Sequence, residues 1–311
     1  MKKKVIIALG GNALIKKNQK GNIYEQFANT RKISESIVKM IKENYKVVIT
    51  HGNGPQVGSI LLQNNAARDE LPPMPLGICV AESEGLIGYM IQQCMYNELM
   101  KSKIEKDVVT LITQVLVDKN DSSFLNPIKP IGPLFNKFEA QELIEDGYKV
   151  KKITNGWRIV VPSPDPIKII EGDIIKKLVD EDIIIIAAGG GGMPVVNNYS
   201  KLDGVEAVVD KDLASECLAE SIGADILMIL TNVDKVYLNY NKSNQKGIDR
   251  ITLNQLKKYY KYGHFPDGSM GPKILAAIRF LEYGGEKVII SNVDQAWESI
   301  NRKIGTHITK N

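Results

Sequence analysis

Cysteine is scarce in this 311-residue chain, and aromatic residues make up only 6% of it. The three cysteines, Cys79, Cys94 and Cys217, are far apart in sequence and never in a Cys-x-x-Cys spacing. This pattern argues against a disulfide framework and a structural zinc site. An odd number of isolated cysteines is typical of buried thiols in a reducing compartment, so we expect a cytoplasmic protein.

Long apolar runs and blocks of one charge are also missing. The 40 basic and 36 acidic residues leave a net charge of +4, and no basic block is longer than Lys2-Lys3-Lys4. Nucleic-acid binding is therefore not indicated. The apolar run Val5 to Leu9 is five residues long, whereas a signal peptide needs about 7 to 15 and a membrane span about 20. We expect no membrane segment. The 43% of apolar residues is enough for a large buried core.

Several well-known cofactor motifs are absent. The chain has no Gly-x-x-x-x-Gly-Lys-Ser/Thr loop and no protein-kinase signature. Gly52-x-Gly54 has its third glycine at Gly58, one residue late for a dinucleotide fingerprint, and no acidic residue that would bind a ribose ends the strand before it. The three histidines are isolated and lack metal-ligand spacing. These absences argue against nicotinamide, P-loop and zinc enzymes.

What the chain does contain is an alternation of short β-branched runs with helical patterns. The runs are mostly apolar on both faces, which is typical of parallel strands covered by helices on both sides. The predicted strands are Lys4 to Leu9, Lys46 to Thr50, Val108 to Val117, Ile183 to Ala187, Ile226 to Leu230 and Lys287 to Ile290. The predicted helices are Tyr24 to Asn44, Pro55 to Arg68, Ala81 to Ser102, Lys211 to Ile222, Leu253 to Tyr262 and Gly271 to Tyr283. The alternation predicts an α/β fold, a three-layer αβα sandwich with a mainly parallel central sheet.

One segment, Asp118 to Pro166, interrupts this rhythm. It holds six of the 13 prolines and a predicted hairpin from Tyr148 to Val161, turning on Asn155-Gly156, because Asn-Gly favours the type I′ turn. We interpret residues 118–166 as a small protruding subdomain that acts as a lid, since long insertions in compact domains are usually functional. The alternative is a long surface loop that carries a hairpin.

Three glycine turns follow predicted strands at their C-terminal ends. They are Gly10-Gly11-Asn12, Gly52-Asn53-Gly54 and Gly189-Gly190-Gly191-Gly192. Ligands of open α/β sheets bind in this crevice, and glycines let backbone N–H groups approach an anion closely. Each turn alone is equally consistent with a tight connection. Together they favour a nucleotide or phosphate site.

Three lysines stand near such turns or at predicted helix starts. Lys129 lies between prolines in the insertion, and Lys211 and Lys273 each begin a helix. A cation at a helix N-terminus is disfavoured by about 0.3 to 1 kcal/mol unless an anion shares the site. Phosphoryl transfer needs cations around the migrating group. Asp210 and Asp212 flank Lys211; either can cap the helix, and we prefer Asp212 as the carboxylate that orients the lysines.

A fourth group of residues follows the strand Ile226 to Leu230 or lies farther along the chain. Thr231, Tyr237, Tyr240 and Met270 are candidates to line an adenine slot. Tyr and Met at such positions are also consistent with ordinary packing.

Taken together, the motifs resemble the carbamate kinases of the amino acid kinase superfamily. The similarity covers the whole chain. It rests on Gly10 to Leu14, His51 to Gly58, Pro127 to Pro133, Gly189 to Gly192, Val208 to Ser215 and His264 to Lys273.

The resemblance implies a homodimeric αβα enzyme that transfers a phosphoryl group reversibly between ATP and carbamate, giving ADP and carbamoyl phosphate. Magnesium would be bound mainly through the nucleotide phosphates, and the net reaction would make ATP in arginine fermentation by the arginine deiminase pathway. It also implies one domain over residues 1–311, with a carbamate-binding N-terminal half and a nucleotide-binding half from about residue 180.

The family's site residues carry over by position. Lys211 and Lys273 would contact the transferred group, Lys129 would reach it from the insertion, and Asp212 would align the lysines. The glycine turns would donate N–H groups to carbamate and phosphate; their residues are Gly10, Gly11, Asn12, Gly52, Asn53, Gly189, Gly190 and Gly191. Thr231, Tyr237, Tyr240 and Met270 would surround the nucleotide.

The chain departs from the usual family pattern at five positions, Gly77, Glu84, Ile128, Ile159 and Asn232. None of these is a proposed catalytic group. Two rival interpretations remain. The first is another kinase of the superfamily that acts on an amino acid or a nucleoside monophosphate; Arg158 is the nearby candidate to bind the second anionic group of such a substrate. The second is a non-catalytic nucleotide-binding regulator.

Overall fold

The structure, a computed structural model, describes residues 2–16, 19–153, 155–266, 269–302 and 304–311, without the side chains of Asn12 and Arg302. The strands of the described residues are β1 Lys4–Leu9, β2 Lys46–His51, β3 Val108–Thr110, β4 Gln114–Val117, β5 Lys129–Phe135, β6 Val150–Ile153, β7 Gly156–Val161, β8 Pro166–Ile169, β9 Ile184–Ile186, β10 Met193–Asn198, β11 Lys201–Gly204, β12 Ile226–Thr231, β13 Val236–Leu238, β14 Lys246–Ile248, β15 Arg250–Thr252, β16 Lys287–Asn292 and β17 Thr306–Thr309. Its helices are α1 Gly11–Leu14, α2 Ile23–Lys42, α3 Gly54–Ala66, α4 Leu76–Lys101, α5 Lys137–Glu145, α6 Gly172–Asp180, α7 Lys211–Ile222, α8 Leu253–Lys261, α9 Met270–Tyr283 and α10 Ala296–Arg302.

The central sheet has eight strands in the order β15-β17-β16-β12-β1-β2-β9-β3. Strands β3, β9, β2, β1, β12 and β16 run parallel to one another, and β17 and the edge strand β15 run antiparallel to them. The predicted parallel sheet is therefore confirmed. Strand β1 begins and ends where the sequence predicted, because Val5 to Leu9 is fully buried between its neighbours.

Helices cover both faces of this sheet, as the unbroken apolar strands predicted. Alternate residues of β1 enter two separate cores: Ile6 packs with α6, α7 and α9, and Ile7 packs with α2 and α4. Because every second side chain of a strand points to the opposite face, a strand that is apolar throughout needs a helical layer on each side. The three-layer αβα sandwich is thus confirmed.

The predicted strand Val108 to Val117 is wrong as one element. It divides into β3, in the central sheet, and β4, which lies in a second sheet of order β11-β10-β4-β8. The break falls at Thr113, whose N–H is bonded to Glu84 of α4 rather than to a strand. The run gave no sign of this change of sheet, because it contains neither a glycine nor a proline that would mark a break.

The insertion forms a three-stranded antiparallel sheet, β5-β7-β6, with α5 against it. Ile131 and Ile159 of this unit are buried in one core with Val57 of α3 and Val80 of α4. The subdomain is therefore docked on the main body through apolar contacts. Its role as a lid stays a prediction.

The predicted hairpin is present as β6 and β7. Ile153 pairs with Gly156 in the ladder, so Gly156 is the first residue of β7 and not, as predicted, part of the turn. The φ of Gly156 is +152°, a backbone conformation that residues with a side chain rarely adopt, which explains why glycine stands there.

The three cysteines are buried and free, as expected. Among the described residues, no helix is both long and apolar enough to cross a membrane.

Gly58 of α3 and Gly132 of the subdomain approach each other closely. A Cβ on Gly58 would lie well under 3.0 Å from the backbone of Gly132, which itself has a φ of +72°. We expect Gly58→Ala to displace β5 and to lower the free energy of unfolding by about 1 to 3 kcal/mol, the usual cost of overpacking. Chemical denaturation and hydrogen exchange of residues 129–161 measure the two effects.

Gly85→Ala on α4 is the matched control, because a Cβ there meets nothing within 4 Å. Alanine stabilises a helix interior relative to glycine, so this variant should be no less stable than the parent chain. Unchanged stability and exchange in Gly58→Ala would show that the close contact does not hold the subdomain.

Candidate active site

The strand order brings the predicted glycine turns together. Strands β12, β1, β2 and β9 are neighbours, so their C-terminal ends share one edge of the sheet. Gly10 N–H donates to Leu230 O at 2.9 Å, and Gly52 N–H donates to Leu9 O at 2.9 Å. A Cβ on Gly52 would lie 3.1 Å from Gly11 N. The first two turns thus touch, and only a residue without a side chain fits between them.

The third turn packs against the second. Gly189 to Gly191 form a short 3₁₀ turn, entered through Ala188 with a φ of +49°. A Cβ on Gly190 would clash with the side-chain amide of Asn53. Gly190 faces the same cleft as the other turns, whereas Gly189 lies against His51 and Glu84, and Gly191 against Val209. Of the three predicted glycines, Gly190 alone lines the cleft, and the others shape the turn.

The predicted lysines and aspartates meet above these turns. Lys211, the first residue of α7, and Lys273, in the first turn of α9, both donate to the carboxylate of Asp212; the Lys273 Nζ to Asp212 Oδ2 distance is 2.9 Å. Asp212 is only 2% exposed. A buried carboxylate between two ammonium groups keeps them from repelling each other, which is the role predicted for Asp212.

Lys129 reaches the same cluster from β5 of the subdomain and pairs with Asp210. The other oxygen of Asp210 accepts the N–H of Asp212 at 2.9 Å, so Asp210 also caps α7. The subdomain is therefore tied to the main body by an ion pair in the cleft. Two helix starts and one strand of the subdomain supply the three ammonium groups.

The charges change the pKa values of this cluster. Burial by itself would raise the pKa of Asp212, but Lys211 and Lys273 lower it far below the usual range. Asp210 behaves in the same way, with Lys129 as the main cation. Burial would lower the pKa of Lys273, yet Asp212 and Asp210 raise it. Both carboxylates are thus ionised at neutral pH.

Lys211 differs from Lys273. Its pKa is lowered, first by burial and then by the neighbouring Lys273, although Asp212 opposes both effects. Lys211 and Lys273 share the carboxylate of Asp212. Lys211 is the more buried of the two, so this carboxylate offsets less of the lowering of its pKa that burial causes. An additional anion in the cleft would restore the balance for Lys211.

The cleft over the turns has a volume of about 200 Å³. All four predicted catalytic residues line it, and so do Gly10, Gly11, Gly52, Asn53 and Gly190. The side chain of Asn12, also predicted for this site, lies outside the described part of the chain. The cleft is therefore lined by ammonium groups on one side and by glycine backbone on the other.

A second cleft of about 380 Å³ opens beside the first. It is lined by all four residues predicted for a nucleotide, Thr231, Tyr237, Tyr240 and Met270. The rings of Tyr237 and Tyr240 lie 6.0 Å apart, and the Tyr237 hydroxyl donates to Asp234 at 2.7 Å. Thr231, Asn232, Ser269 and Lys273 border both clefts. An elongated ligand can thus lie in the second cleft with one end among the lysines.

Sequence reasoning missed several residues of the two clefts. Asp210 was noticed as a helix cap, not as the partner of Lys129, because nothing in the sequence brings residue 129 to α7. Lys235 also lines the second cleft. The segment Leu230 to Tyr237 was considered for an adenine slot, but this lysine was not among the candidates chosen from it. Pro266 lines the same cleft, and no signal in the sequence marked it.

Comparison with known proteins shows the family. Residues 3–292 match the model of the amino acid kinase family. The chain is 51% identical over 312 residues to a carbamate kinase of Pyrococcus furiosus, covering 99% of both chains. The structure of a carbamate kinase from Giardia lamblia bound to citric acid is 42% identical, with a TM-score of 0.95 and 99% of each chain covered. The structure of that enzyme bound to AMP-PNP has a TM-score of 0.92, at 43% identity and with 99% of each chain covered. The chain therefore belongs to the amino acid kinase family and, within it, to the carbamate kinases.

Proposed function

We propose that the protein transfers a phosphoryl group reversibly between ATP and carbamate, with ADP and carbamoyl phosphate as the products. The observation that carries this proposal is the convergence of Lys129, Lys211 and Lys273 in the first cleft, where Lys273 also borders the second. The matched relatives are carbamate kinases over their full length, and the Giardia lamblia enzyme is known with AMP-PNP. The base and sugar would occupy the cleft around Tyr237, with the phosphates directed at the lysines.

The reaction needs no nucleophile from the protein. A carbamate oxygen attacks the γ-phosphorus in line while the bond from that phosphorus to the β–γ bridging oxygen breaks and ADP leaves, and the negative charge of the transition state spreads over the phosphoryl oxygens. Lys211 and Lys273 would stabilise this charge, while the glycine N–H groups of the turns would bind the remaining oxygens. Asp212 holds the two ammonium groups in place before the substrate arrives, so little reorganisation is left for the reaction itself.

The size of the acceptor explains why a third lysine comes from the subdomain. Carbamate has four non-hydrogen atoms, so at about −1.5 kcal/mol per atom its binding cannot exceed roughly −6 kcal/mol. Contacts alone therefore give little selectivity. A subdomain that covers the acceptor and brings Lys129 over it would exclude water and larger acids, and would protect the labile product.

We further propose that Mg²⁺ accompanies the nucleotide. Among the described residues, no group of three or more His, Cys, Asp or Glu side chains is placed to hold a metal ion, and Asp210 and Asp212 are both bonded to lysines. This fits an ion that is coordinated by phosphate oxygens and water, which is how Mg²⁺ commonly binds. Its contribution would be to neutralise phosphate charge.

The physiological setting is also a proposal. The resemblance predicts a cytoplasmic enzyme that works toward ATP in arginine fermentation, through the arginine deiminase pathway. The clefts are consistent with either direction, since both sets of substrates carry the same atoms.

A homodimer is the assembly we propose. Helix α4 has a stripe of exposed residues, Leu86, Tyr89, Gln93, Tyr96 and Met100, that are three and four positions apart. This spacing places them on one face of the helix. Aromatic residues and methionine are enriched at protein interfaces, and a two-fold axis across α4 would pair the stripe with itself.

The function is tested by coupled ATP production. The protein should form ATP from carbamoyl phosphate and ADP with Mg²⁺ present, and lose this activity when EDTA removes the metal. In the opposite direction carbamate should be accepted, and glutamate and UMP should not. Activity with glutamate or UMP in place of carbamate would establish the rival kinase, and nucleotide binding without turnover would establish the non-catalytic regulator.

Substitution of the lysines tests the mechanism. Lys129→Ala and Lys273→Ala should each lower kcat by about 10²- to 10³-fold, the usual loss for one group that stabilises transition-state charge. Lys201→Ala is the control, because its side chain is 68% exposed and pairs only with Asp203 in the second sheet. Steady-state kinetics and circular dichroism would be measured for all three. A kcat near that of the parent chain in both cleft variants contradicts the charge-stabilising role.

A charge in the stripe of α4 tests the dimer. We expect Tyr89→Asp to convert a dimer into a monomer, because two buried carboxylates would face each other across the axis. Leu125→Asp is the matched control, since Leu125 is 88% exposed and lies outside the stripe. Sedimentation velocity distinguishes the states. A monomeric parent chain, or a dimeric Tyr89→Asp protein, would show that the stripe is not the interface.

A further inference from the structure

Glu84 is a buried carboxyl group with no role in the proposed reaction. It lies on α4 and is 1% exposed. Its Oε1 accepts the N–H of Gly189 at 2.9 Å, and its Oε2 accepts the N–H of Thr113 at 3.2 Å. Both bonds come from the backbone. Glu84 therefore holds the start of the third glycine turn from behind the cleft.

Thr113 holds the same turn from the other side. Its Oγ1 accepts the N–H of Ala188 at 3.0 Å, and its carbonyl oxygen accepts the N–H of Met193 at 2.8 Å. Between these two bonds the chain has positive φ at Ala188 and at Gly190, Gly191 and Gly192. A non-glycine residue such as Ala188 adopts this region only when surrounding bonds enforce it. The turn is thus a constrained element that depends on Glu84 and Thr113.

The constrained turn places Gly190 in the cleft and against Asn53. Asn53 is itself held by α4, because its Nδ2 donates to Ser83 Oγ at 2.8 Å. Ser83 and Glu84 are consecutive, so one turn of α4 supports two of the three glycine turns that line the cleft. Glu84 binds the N–H of Gly189, and the next residue, Gly190, lines the cleft. A change at Glu84 therefore acts one peptide unit away from a group that would face a bound anion.

The surroundings of Glu84 contain few compensating charges. Among the described groups, Glu171 at the start of α6 acts on it as a like charge, and His51 of β2 lies on the same side of Gly189: a Cβ on Gly189 would be under 3.0 Å from both His51 Nε2 and Glu84 Cγ. His51 is fully buried, and its pKa is lowered to about 4 by burial and by Lys211 of α7. It is neutral at ordinary pH, and its Nε2 has no hydrogen-bond partner. A neutral carboxyl group has an O–H to offer to such a nitrogen, whereas a carboxylate has none.

We propose that Glu84 is a positioning residue for the anion site, and that its neutral form is the one that supports phosphate binding. A carboxylate behind Gly189 would place a negative charge beside the bound phosphate and weaken its binding. The inference rests on the proposed function for the identity of the anion as a phosphoryl group.

The direction of the pH effect follows from burial. Burial raises the pKa of Glu84 to about 8, although the N–H groups of Thr113 and Gly189 oppose it. Glu84 is then neutral below about pH 8 and ionised above it. Anion affinity should therefore fall as the pH rises through this value. The neutral form of Glu84 also contributes to the stability of the fold. This contribution is complete below the ordinary pKa of glutamate and is lost as the pH rises from there through about 8.

The experiment compares sulfate binding in the parent chain and in Glu84→Gln. Glutamine keeps the shape of the neutral carboxyl group and has no charge to lose. Sulfate is the probe because it stays a dianion from about pH 6 to about pH 9, so its own ionisation adds nothing. Calorimetry should show that the ratio of sulfate Kd in the parent chain to that in Glu84→Gln rises roughly three- to tenfold across this range.

Glu216→Gln is the matched control. Glu216 is also a buried carboxyl group, with a pKa raised to about 7 by burial, but it lines a separate surface cavity beside Arg279. Its replacement should leave the pH dependence of sulfate binding as in the parent chain. A constant ratio for Glu84→Gln across the range, or the same change in Glu216→Gln, overturns the proposal.

A measurement on the parent chain covers the case in which Glu84→Gln does not fold. With ¹³C at the glutamate δ-carbon, NMR should show one carboxyl group that titrates near pH 8 and whose midpoint rises when sulfate is bound. A spectrum in which sulfate moves no carboxyl midpoint refutes the proposal. Because sulfate binding needs no turnover, failure to phosphorylate carbamate would overturn the proposed function and leave this inference standing.

Discussion

The carboxylate of Asp212 between Lys211 and Lys273 is the interaction on which the site depends. Each lysine stands at the start of a helix, where the backbone dipole disfavours a cation, and the two ammonium groups repel each other. A carboxylate that is 2% exposed removes both problems, because its charge is not screened by water. It also leaves the cluster with more positive than negative charge. This excess of positive charge suits the anionic phosphates of the proposed reaction.

The parallel sheet makes this cluster possible. Strands β12, β1, β2 and β9 all end at one edge, so residues from positions 10, 52, 190 and 231 meet without any long connection between them. Lys129 is the exception, because it comes from the inserted subdomain. Its pairing with Asp210 adds to the apolar core and to the contact of Gly132 with Gly58 that hold the subdomain on the main body. Lys129 is the one cleft lysine whose position depends on subdomain docking.

Much of this arrangement could be predicted from local sequence. Strand β1 and helix α7 begin and end where the apolar pattern and the Asp210 cap indicated, because burial and capping are set by neighbouring residues. The pairing of Lys129 with Asp210 could not be predicted, since it joins residues 81 positions apart. The division of Val108 to Val117 between two sheets was equally hidden, because it depends on a bond from Thr113 to Glu84 on another helix. The sequence pattern predicts the helices and strands, but contacts between residues far apart in sequence decide which of them pack together.

Glu84 and Asp212 show how position decides the effect of a buried carboxyl group. Asp212 has two ammonium groups within hydrogen-bonding distance, so its pKa falls and it stays ionised. Among the described residues, Glu84 bonds to backbone N–H groups and to Thr113, and the charge that acts on it is the like charge of Glu171, so burial prevails and its pKa rises. One carboxyl group organises cations in front of the glycine turns, and the other must stay neutral behind them. If both were ionised, the turns would lie between two negative charges, and the N–H groups that face the phosphate would bind it less tightly.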